Sequence, residues 1–322
     1  MNDSNNAGDA EKLTEQFDQL TLACGFVRLS DRSFVSLAGQ DRQTFLNNFC
    51  TNDTKKLAIG EVCEAFVLNG KGKLLGYVHA IADNEELLLT GHGAQAETLI
   101  EHLDKYVIRE DVQMSDQTES LASIFVCGGQ TVDRLSQICG QLPEVNHFSE
   151  HELDSVKFRL VHAEFAGDGY LLICDSSSIE ALAAGLAKAD VSECSPAALE
   201  IVRVEAKTPW FGIDADDSNL PQELQRDDKA ISFNKGCYLG QETVARIDAR
   251  GRVNQLLVGL KSDLNGSLAV GEVLVDEKPA GRISSIAQLP SSDSQPTQHI
   301  AIGYVRRQFK EPGTKLGDWV VV

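Results

Sequence analysis

Near residues 246–254 the chain changes its pattern, and that change limits the architectures open to it. Upstream, apolar strand-like runs alternate with stretches of helical spacing. Downstream of Val253 only short strand-like runs remain, at 256–260, 273–275, 280–286, 299–305 and 319–322, punctuated by glycine and proline. Alternation of the first kind predicts mixed α/β layers, and short, regularly spaced strands predict a small β-barrel. The expected class is α+β: a mixed α/β body followed by a small C-terminal β-barrel. A chain of 322 residues can bury such a core without metal or disulfide support. The expected organisation is a disordered acidic tail over 1–15, a body over 16–250 and a barrel over 251–322.

Within the body, 34–37 reads as a strand, and Asp41 caps a helix in which Phe45, Leu46 and Phe49 recur at helical spacing. Runs 62–68 and 74–81 flank Asn69-Gly70-Lys71-Gly72, a hairpin signal, because Asn and Gly tolerate positive φ. Further strands are expected at 87–89, 121–126, 158–161 and 170–173, and helices at 94–103, 132–138 and 179–189. Residues 291–297 read as a polar loop, and the opening residues contain almost nothing to bury.

The net charge of −19 sets the surface against phosphate backbones, so direct nucleic-acid binding is not expected. Arg246, Arg250, Arg252 and the pair Arg306-Arg307 offer at most a patch for a small polyanion. The eight cysteines show no Cys-x-x-Cys pair and no zinc spacing with histidine, so no metal site is expected. Cys63, Cys127 and Cys174 lie in apolar runs, as buried free cysteines do. This usage suits a reducing compartment. With no secretory or transit pattern and no run of bilayer-spanning length, the expected location is the cytoplasm, without a membrane partner. The histidines form no ligand-like cluster, and Gly70 to Gly76 lacks the spacing that cradles phosphates.

Residues 235–242, Lys-Gly-Cys-Tyr-Leu-Gly-Gln-Glu, place a thiol, a cation and an acid between two glycines. Gly236 and Gly240 permit tight backbone angles or close ligand approach, and Lys235 beside Cys237 could favour the thiolate. The expectation is one reactive thiol in a tight loop, with Gln241 and Glu242 beside it; the bland alternative is a turn holding an inert cysteine. Ser195-Pro196 starts a helix, and at about 100° per residue Glu205 falls at the centre of its apolar face. Glu200 points the opposite way, as a solvated acid, and Arg203 is a poor local partner for Glu205. An inward carboxylate must be hydrogen-bonded or neutralised, and the paired N–H donors of a pterin would meet that need. The alternative is a frayed helix end reaching water. Asn52 and Asp53 are either turn formers or site residues, and Trp210-Phe211 either floor a cavity or belong to the core.

Lys-Gly-Cys-Tyr-x-Gly-Gln-Glu is also a family signature. Together with Thr51-Asn52-Asp53, Leu68-Asn69 and Gly72, Arg203-x-Glu205-Ala206, the run from Pro209 to Asp214, and Leu220-Pro221-Gln222-Glu223, it makes the chain resemble the YgfZ/GcvT family of folate-binding proteins, YgfZ branch, from about Gly25 onward. The resemblance implies ferredoxin-like units around a central cavity and a tetrahydrofolate or one-carbon derivative held by Glu205, with Asn52 and Asp53 near it. It also implies partnership with iron–sulfur client or assembly proteins, including those of tRNA thiomodification, with Cys237 facing the same cavity as the folate. In the family's aminomethyltransferase branch a catalytic aspartate follows the Leu-Asn hairpin by eight residues from the leucine. Here that position is Gly76, flanked by Leu75 and Tyr77, which makes aminomethyl transfer the weaker reading. A ligand-free interaction scaffold is a further alternative.

Overall fold

The computed structural model describes residues 3–263, 268–290 and 298–322; the loop expected at 291–297 lies outside them. In chain order the helices are α1 (Asp3–Thr21), α2 (Arg42–Asn47), α3 (Ala96–Asp104), α4 (Thr131–Cys139), α5 (Ile179–Lys188), α6 (Pro196–Glu205), α7 (Asp227–Ala230) and α8 (Gln241–Arg250). The body strands are β1 (Gly25–Leu29), β2 (Arg32–Ala38), β3 (Val62–Leu68), β4 (Leu74–Ala82), β5 (Glu86–His92), β6 (Gln113–Asp116), β7 (Leu121–Cys127), β8 (His147–Leu153), β9 (Val156–His162), β10 (Tyr170–Asp175) and β11 (Ser192–Glu193). Those after α8 are β12 (Gln255–Ser262), β13 (Gly271–Val275), β14 (Lys278–Leu289), β15 (Gln298–Arg306), β16 (Lys315–Leu316) and β17 (Trp319–Val321).

The body has two sheets, ordered β11-β1-β7-β10-β9-β8 and β3-β4-β5-β2-β6, and the third sheet, β13-β14-β15-β12-β17-β16, curls into the C-terminal barrel. The α+β class read from the patterning is therefore the one observed. The amino-terminal expectation needs correction. Residues 3–21 form α1 rather than a disordered tail, because Leu13, Phe17 and Leu20 recur at helical spacing and pack on the cores beneath α6 and β1. Burying such side chains contributes about 1.5–3 kcal/mol each, enough to hold an otherwise polar helix.

The hairpin β3–β4 positions the site. Its residues alternate between two cores, since successive side chains leave opposite faces of a strand. Ala65, Val67, Val78 and Ala80 face α2 and α3, while Phe66, Leu68 and Tyr77 face the segment between α6 and α8. That segment, residues 206–240, contains only a 3-10 turn (Pro221–Leu224) and the four residues of α7. It is the longest stretch of the body with so little regular structure, and it carries most of the motifs.

Candidate functional site

The thiol loop is braced at both ends. Lys235, 8% exposed, donates its ammonium protons to the carbonyls of Asn47 (2.8 Å), Cys50 (2.9 Å) and Asn52, and lies 5.0 Å from the Tyr238 ring centre. Burial lowers its pKa. The expected pairing of Lys235 with Cys237 is thus corrected: this ammonium is spent on backbone carbonyls, with the buried Cys50 sulfur 4.0 Å away. On the other side, Tyr238 is buried, Leu239 N–H donates to Asn48 O at 2.8 Å, and Gly240 adopts φ 82°. A Cβ at Gly240 would lie 2.7 Å from Asn69 O, so only glycine allows the loop to meet the β3–β4 turn. Gly236, by contrast, is in open space. Between these braces Cys237 is exposed, whereas the other seven cysteines are buried or half-buried. Gln241 and Glu242 open α8, the first half-buried and the second exposed.

Asn52 is a bridge. Its amide donates to Glu64 O (2.8 Å) and Lys229 O (2.9 Å), while Asp53 pairs with Lys56 at 2.7 Å. Thr51 Oγ1 donates to Ala230 O and accepts from Phe66 N–H. The Thr-Asn-Asp element therefore ties α7 to β3. Trp210 stacks on His92 with centroids 4.1 Å apart and lies under the Arg203 guanidinium.

The helix-wheel reading of α6 is overturned at its C-terminal end. Glu205 is exposed, because the helix stops there and Lys207 turns left-handed at φ 58°. What remains covered of it raises its pKa by desolvation. Arg203 is the buried residue, at 0% exposure, held by Asp214 (2.5 Å), Glu200 (2.6 Å), Ser285 Oγ (2.7 Å) and Thr208 O (2.9 Å). Glu200 is accordingly its partner rather than a free acid. Neither Glu205 nor Cys237 lines the chamber or the cleft described next.

A small inner chamber of about 20 Å³ lies among Arg32, Tyr77, His79, Glu164, Phe165 and Trp210. Behind it Glu64 is saturated: Arg226 donates to both its oxygens (2.5 and 3.2 Å) and Tyr77 Oη donates at 2.6 Å. Arg226 also reaches Glu164 at 3.1 Å. The His79 ring packs tilted against Phe165 with centroids 4.2 Å apart, and its Nε2 has no hydrogen-bond partner. Burial, then Arg32 and Arg226, hold the His79 pKa well below the usual histidine range, so the ring is neutral. Burial likewise lowers Arg32 to about 9. Of this cluster the sequence reading singles out only Trp210 as a site residue. The available signal was a carboxylate and a histidine inside otherwise apolar strand runs, where each needs a partner. Next to the chamber, and sharing Glu164, a cleft of about 480 Å³ separates body from barrel.

Gly76 points away from the chamber. A Cβ there would lie 2.8 Å from Gln95 Oε1 and 2.9 Å from Leu99 Cδ2, on the α3 side. The neighbouring Tyr77 faces the chamber instead. Among the described residues no group of three or more His, Cys, Asp or Glu side chains is placed to hold a metal ion, and no helix is long and apolar enough to cross a membrane.

Comparison with known proteins agrees with this architecture. The tRNA-modifying protein YgfZ of Yersinia enterocolitica is 27% identical over 249 residues, covering 77% of this chain and 74% of the relative. The YgfZ of Yersinia pseudotuberculosis is 29% identical over 251 residues, with 77% and 74% covered. A putative chloroplastic transferase of Arabidopsis thaliana is 25% identical over 301 residues, covering 90% of this chain and 67% of the relative. The crystal structure of the glycine cleavage system aminomethyltransferase T from Bartonella henselae superposes with a TM-score of 0.81 at 20% identity, over 96% of this chain and 87% of that one, which establishes a common fold. The model of the GCVT N-terminal domain matches residues 10–235, and the chain belongs to that family.

Proposed function

We propose that this chain is a reduced-folate-binding accessory protein that supports assembly or repair of iron–sulfur enzymes, those of tRNA thiomodification among them, with Cys237 as its working thiol. The observation that carries the reading is the presentation of Cys237: the loop is fixed by the buried Lys235 and Tyr238 and by Gly240, while the sulfur itself is exposed. A thiol so displayed can meet a partner without first ordering its loop. Because clusters usually take several cysteine ligands, Cys237 acts as one ligand, or as a transient adduct, in a complex with a client or assembly protein. The relatives named for tRNA modification support the choice of clients. The free, mostly buried cysteines suit a reducing compartment, which we take to be the cytoplasm.

The folate half is supported by family membership and by the cleft, whose volume is of ligand size. Leu224, Leu257 and Val258 give it an apolar wall. Glu205 immediately precedes Ala206, which lines the cleft, and its partly desolvated carboxylate suits the paired N–H donors of a pterin. A bound tetrahydrofolate would supply a carrier for a one-carbon unit. Turnover as an aminomethyltransferase is disfavoured, since position 76 carries no acid and the chamber carboxylate Glu64 is locked by Arg226 and Tyr77.

The test compares wild type, Glu205→Ala and Cys237→Ser by calorimetry with 5-formyltetrahydrofolate and by restoration of tRNA thiolation in cells lacking the protein. The expected result is weakened folate binding in the first variant, and normal binding without restoration in the second. Full restoration by Cys237→Ser would remove the thiol role. No heat from wild type would favour a ligand-free scaffold.

A further inference from the structure

Five arginines that the folate and thiol readings leave unused come together at the end of α8. On a helical wheel Val244 marks the buried side, and Glu242, Ala245, Arg246, Ala249 and Arg250 share the exposed face opposite it. Gly251 ends the helix in the left-handed region at φ 60°, and the loop it opens carries Arg252. That loop is tied to the barrel: Arg307 N–H donates to Asn254 O at 3.0 Å and its guanidinium to Gly251 O at 2.5 Å, while Gln255 pairs in register with Arg306. The pairing brings Arg306 and Arg307 beside the loop of Arg252. All five arginines are exposed. Among the described residues Arg246, Arg250, Arg252 and Arg306 make no side-chain hydrogen bond or ion pair, and the Arg307 side chain meets only the Gly251 carbonyl. Residues 241–254 and 306–307 hold these five arginines against two acids, Glu242 and Asp248. Glu242 sits one turn before Arg246, at the thiol end, and Asp248 leaves the helix about 200° round from Arg246, toward Asp227 of α7. On a chain of net charge −19 this is an island of unpaired positive charge.

We propose that this arginine face docks a carboxylate-rich segment of a partner protein and, resting on the thiol reading above, aligns that partner along α8 so that its other end meets Cys237. The helix spans about 14 Å from Gln241 to Arg250, so both ends fit within one interface of standard size, about 800 Å² per partner. Guanidinium forks match carboxylates bidentately, and Ala245 and Ala249 between the arginines leave room for a partner's backbone to approach. The helix C-terminus accounts for Arg250, whose charge suits the last turn, and leaves the other four without a local role. A nucleic acid fits less well. No aromatic ring stands among the arginines to stack a base, since the large aromatic side chains exposed among the described residues are Tyr106 and Phe233, and the acidic surface beyond the patch repels a long phosphate backbone. Exposed contacts of this kind are individually weak and screened by salt, and together they steer a partner toward the thiol.

The experiment measures binding of labelled hexaglutamate, hexaglutamine and hexauridylate to wild type, Arg246→Gln/Arg250→Gln, Arg252→Gln/Arg306→Gln and Cys237→Ser by fluorescence anisotropy at low and high salt, with thermal unfolding as a check on folding. Wild type should bind hexaglutamate more tightly than hexaglutamine at low salt, with the gap closing at high salt. Each arginine double variant should lose about fivefold to tenfold in affinity for hexaglutamate with its Tm unchanged, and Cys237→Ser should bind as wild type does. A hexaglutamate ending in a cysteine activated as its thiopyridyl disulfide should be captured by Cys237, with release of pyridine-2-thione, faster than its hexaglutamine counterpart in wild type and no faster in the arginine variants. Equal binding of hexaglutamate by wild type and both arginine variants overturns the docking face while leaving the thiol reading standing. Arginine-dependent binding without faster capture in wild type overturns the alignment with Cys237. Full restoration of tRNA thiolation by Cys237→Ser removes the thiol role and leaves the peptide binding untouched. Arginine-dependent binding of hexauridylate tighter than that of hexaglutamate overturns the assignment to a protein, as does self-association that the arginine variants abolish, which would give the face to a second copy of the chain.

Discussion

Substituting Arg203 by methionine keeps most of the side-chain volume and removes one buried charge, and the structure shows what is left behind. Arg203 donates to Asp214 Oδ2, to both oxygens of Glu200, to Ser285 Oγ and to Thr208 O. Burial works against its charge, but the bonds to Glu200 and Asp214 outweigh that and raise its pKa. In the variant Glu200, a third exposed, can turn to water at little cost. Asp214 cannot, since its side chain has no exposed surface. It keeps only neutral donors, the hydroxyls of Ser284 and Ser285 and the N–H of Trp210. An uncompensated buried charge of this kind costs about 3–5 kcal/mol, a large share of the ~5–15 kcal/mol that a folded domain holds in reserve. Urea unfolding followed by the fluorescence of Trp210 and Trp319 measures the loss. The double variant Arg203→Met/Asp214→Asn should recover about half of it, leaving chiefly the orphaned Thr208 carbonyl at about 1–3 kcal/mol. A loss below about 1 kcal/mol in the single variant, or a double variant no more stable than the single, would refute the reasoning.

Lys235→Met should cost about 2–4 kcal/mol in the same assay, because three carbonyls lose one buried donor; a neutral result would mean that water replaces the ammonium. Gly76→Asp should destabilise by roughly 3 kcal/mol through its clash with Gln95 and Leu99 and its buried charge, without creating aminomethyl transfer in a coupled assay. His79 gives the pH dependence. Its folded pKa is depressed, so its neutral form contributes stability above the unfolded value of about 6.5, and this is lost as pH falls from there toward the folded value, by up to ~1.4 kcal/mol per pH unit. A His79→Gln variant should show a flatter stability profile between pH 7 and about 5, and parallel profiles would remove His79 as the source.

Where a single local rule decides, the sequence was legible. The Asn69 to Gly72 hairpin, the strands alternating between two cores, and the Ser195-Pro196 helix start, with Ser195 Oγ accepting from Ala198 N–H at 3.3 Å, all follow from spacing and turn chemistry. The failures share a cause. A helical wheel assigns directions but knows neither where the helix ends nor which partner waits there, so it turns Glu205 inward and leaves Glu200 a solvated acid. The partner of Arg203, Asp214, lies eleven residues on, beyond the helix. Lys235 was assigned to Cys237 by adjacency, while its true acceptors are on residues 47–52. The tail over 1–15 looked unable to bury anything because Leu13 acts together with Phe17 and Leu20, which lie beyond it.

These failures point to one device. Residues 206–240 have little helix or strand to satisfy their backbone, and an irregular stretch of that length is uncommon in a compact domain unless it serves function. It is fixed at three points by buried cations. Arg203 holds Thr208 and Asp214, Arg226 locks onto Glu64 of β3, and Lys235 caps the carbonyls that follow α2. The Arg226 and Lys235 clamps join the segment to parts of the fold far away in sequence, and each of the three cations is satisfied chiefly by carboxylates or carbonyls, so the desolvation cost is offset within the clamp. A chain with 29 basic residues against 48 acidic ones has placed these three inside. Their charge is consumed in holding the loop, which leaves the exposed Cys237 near the end of the segment as the group presented to a partner.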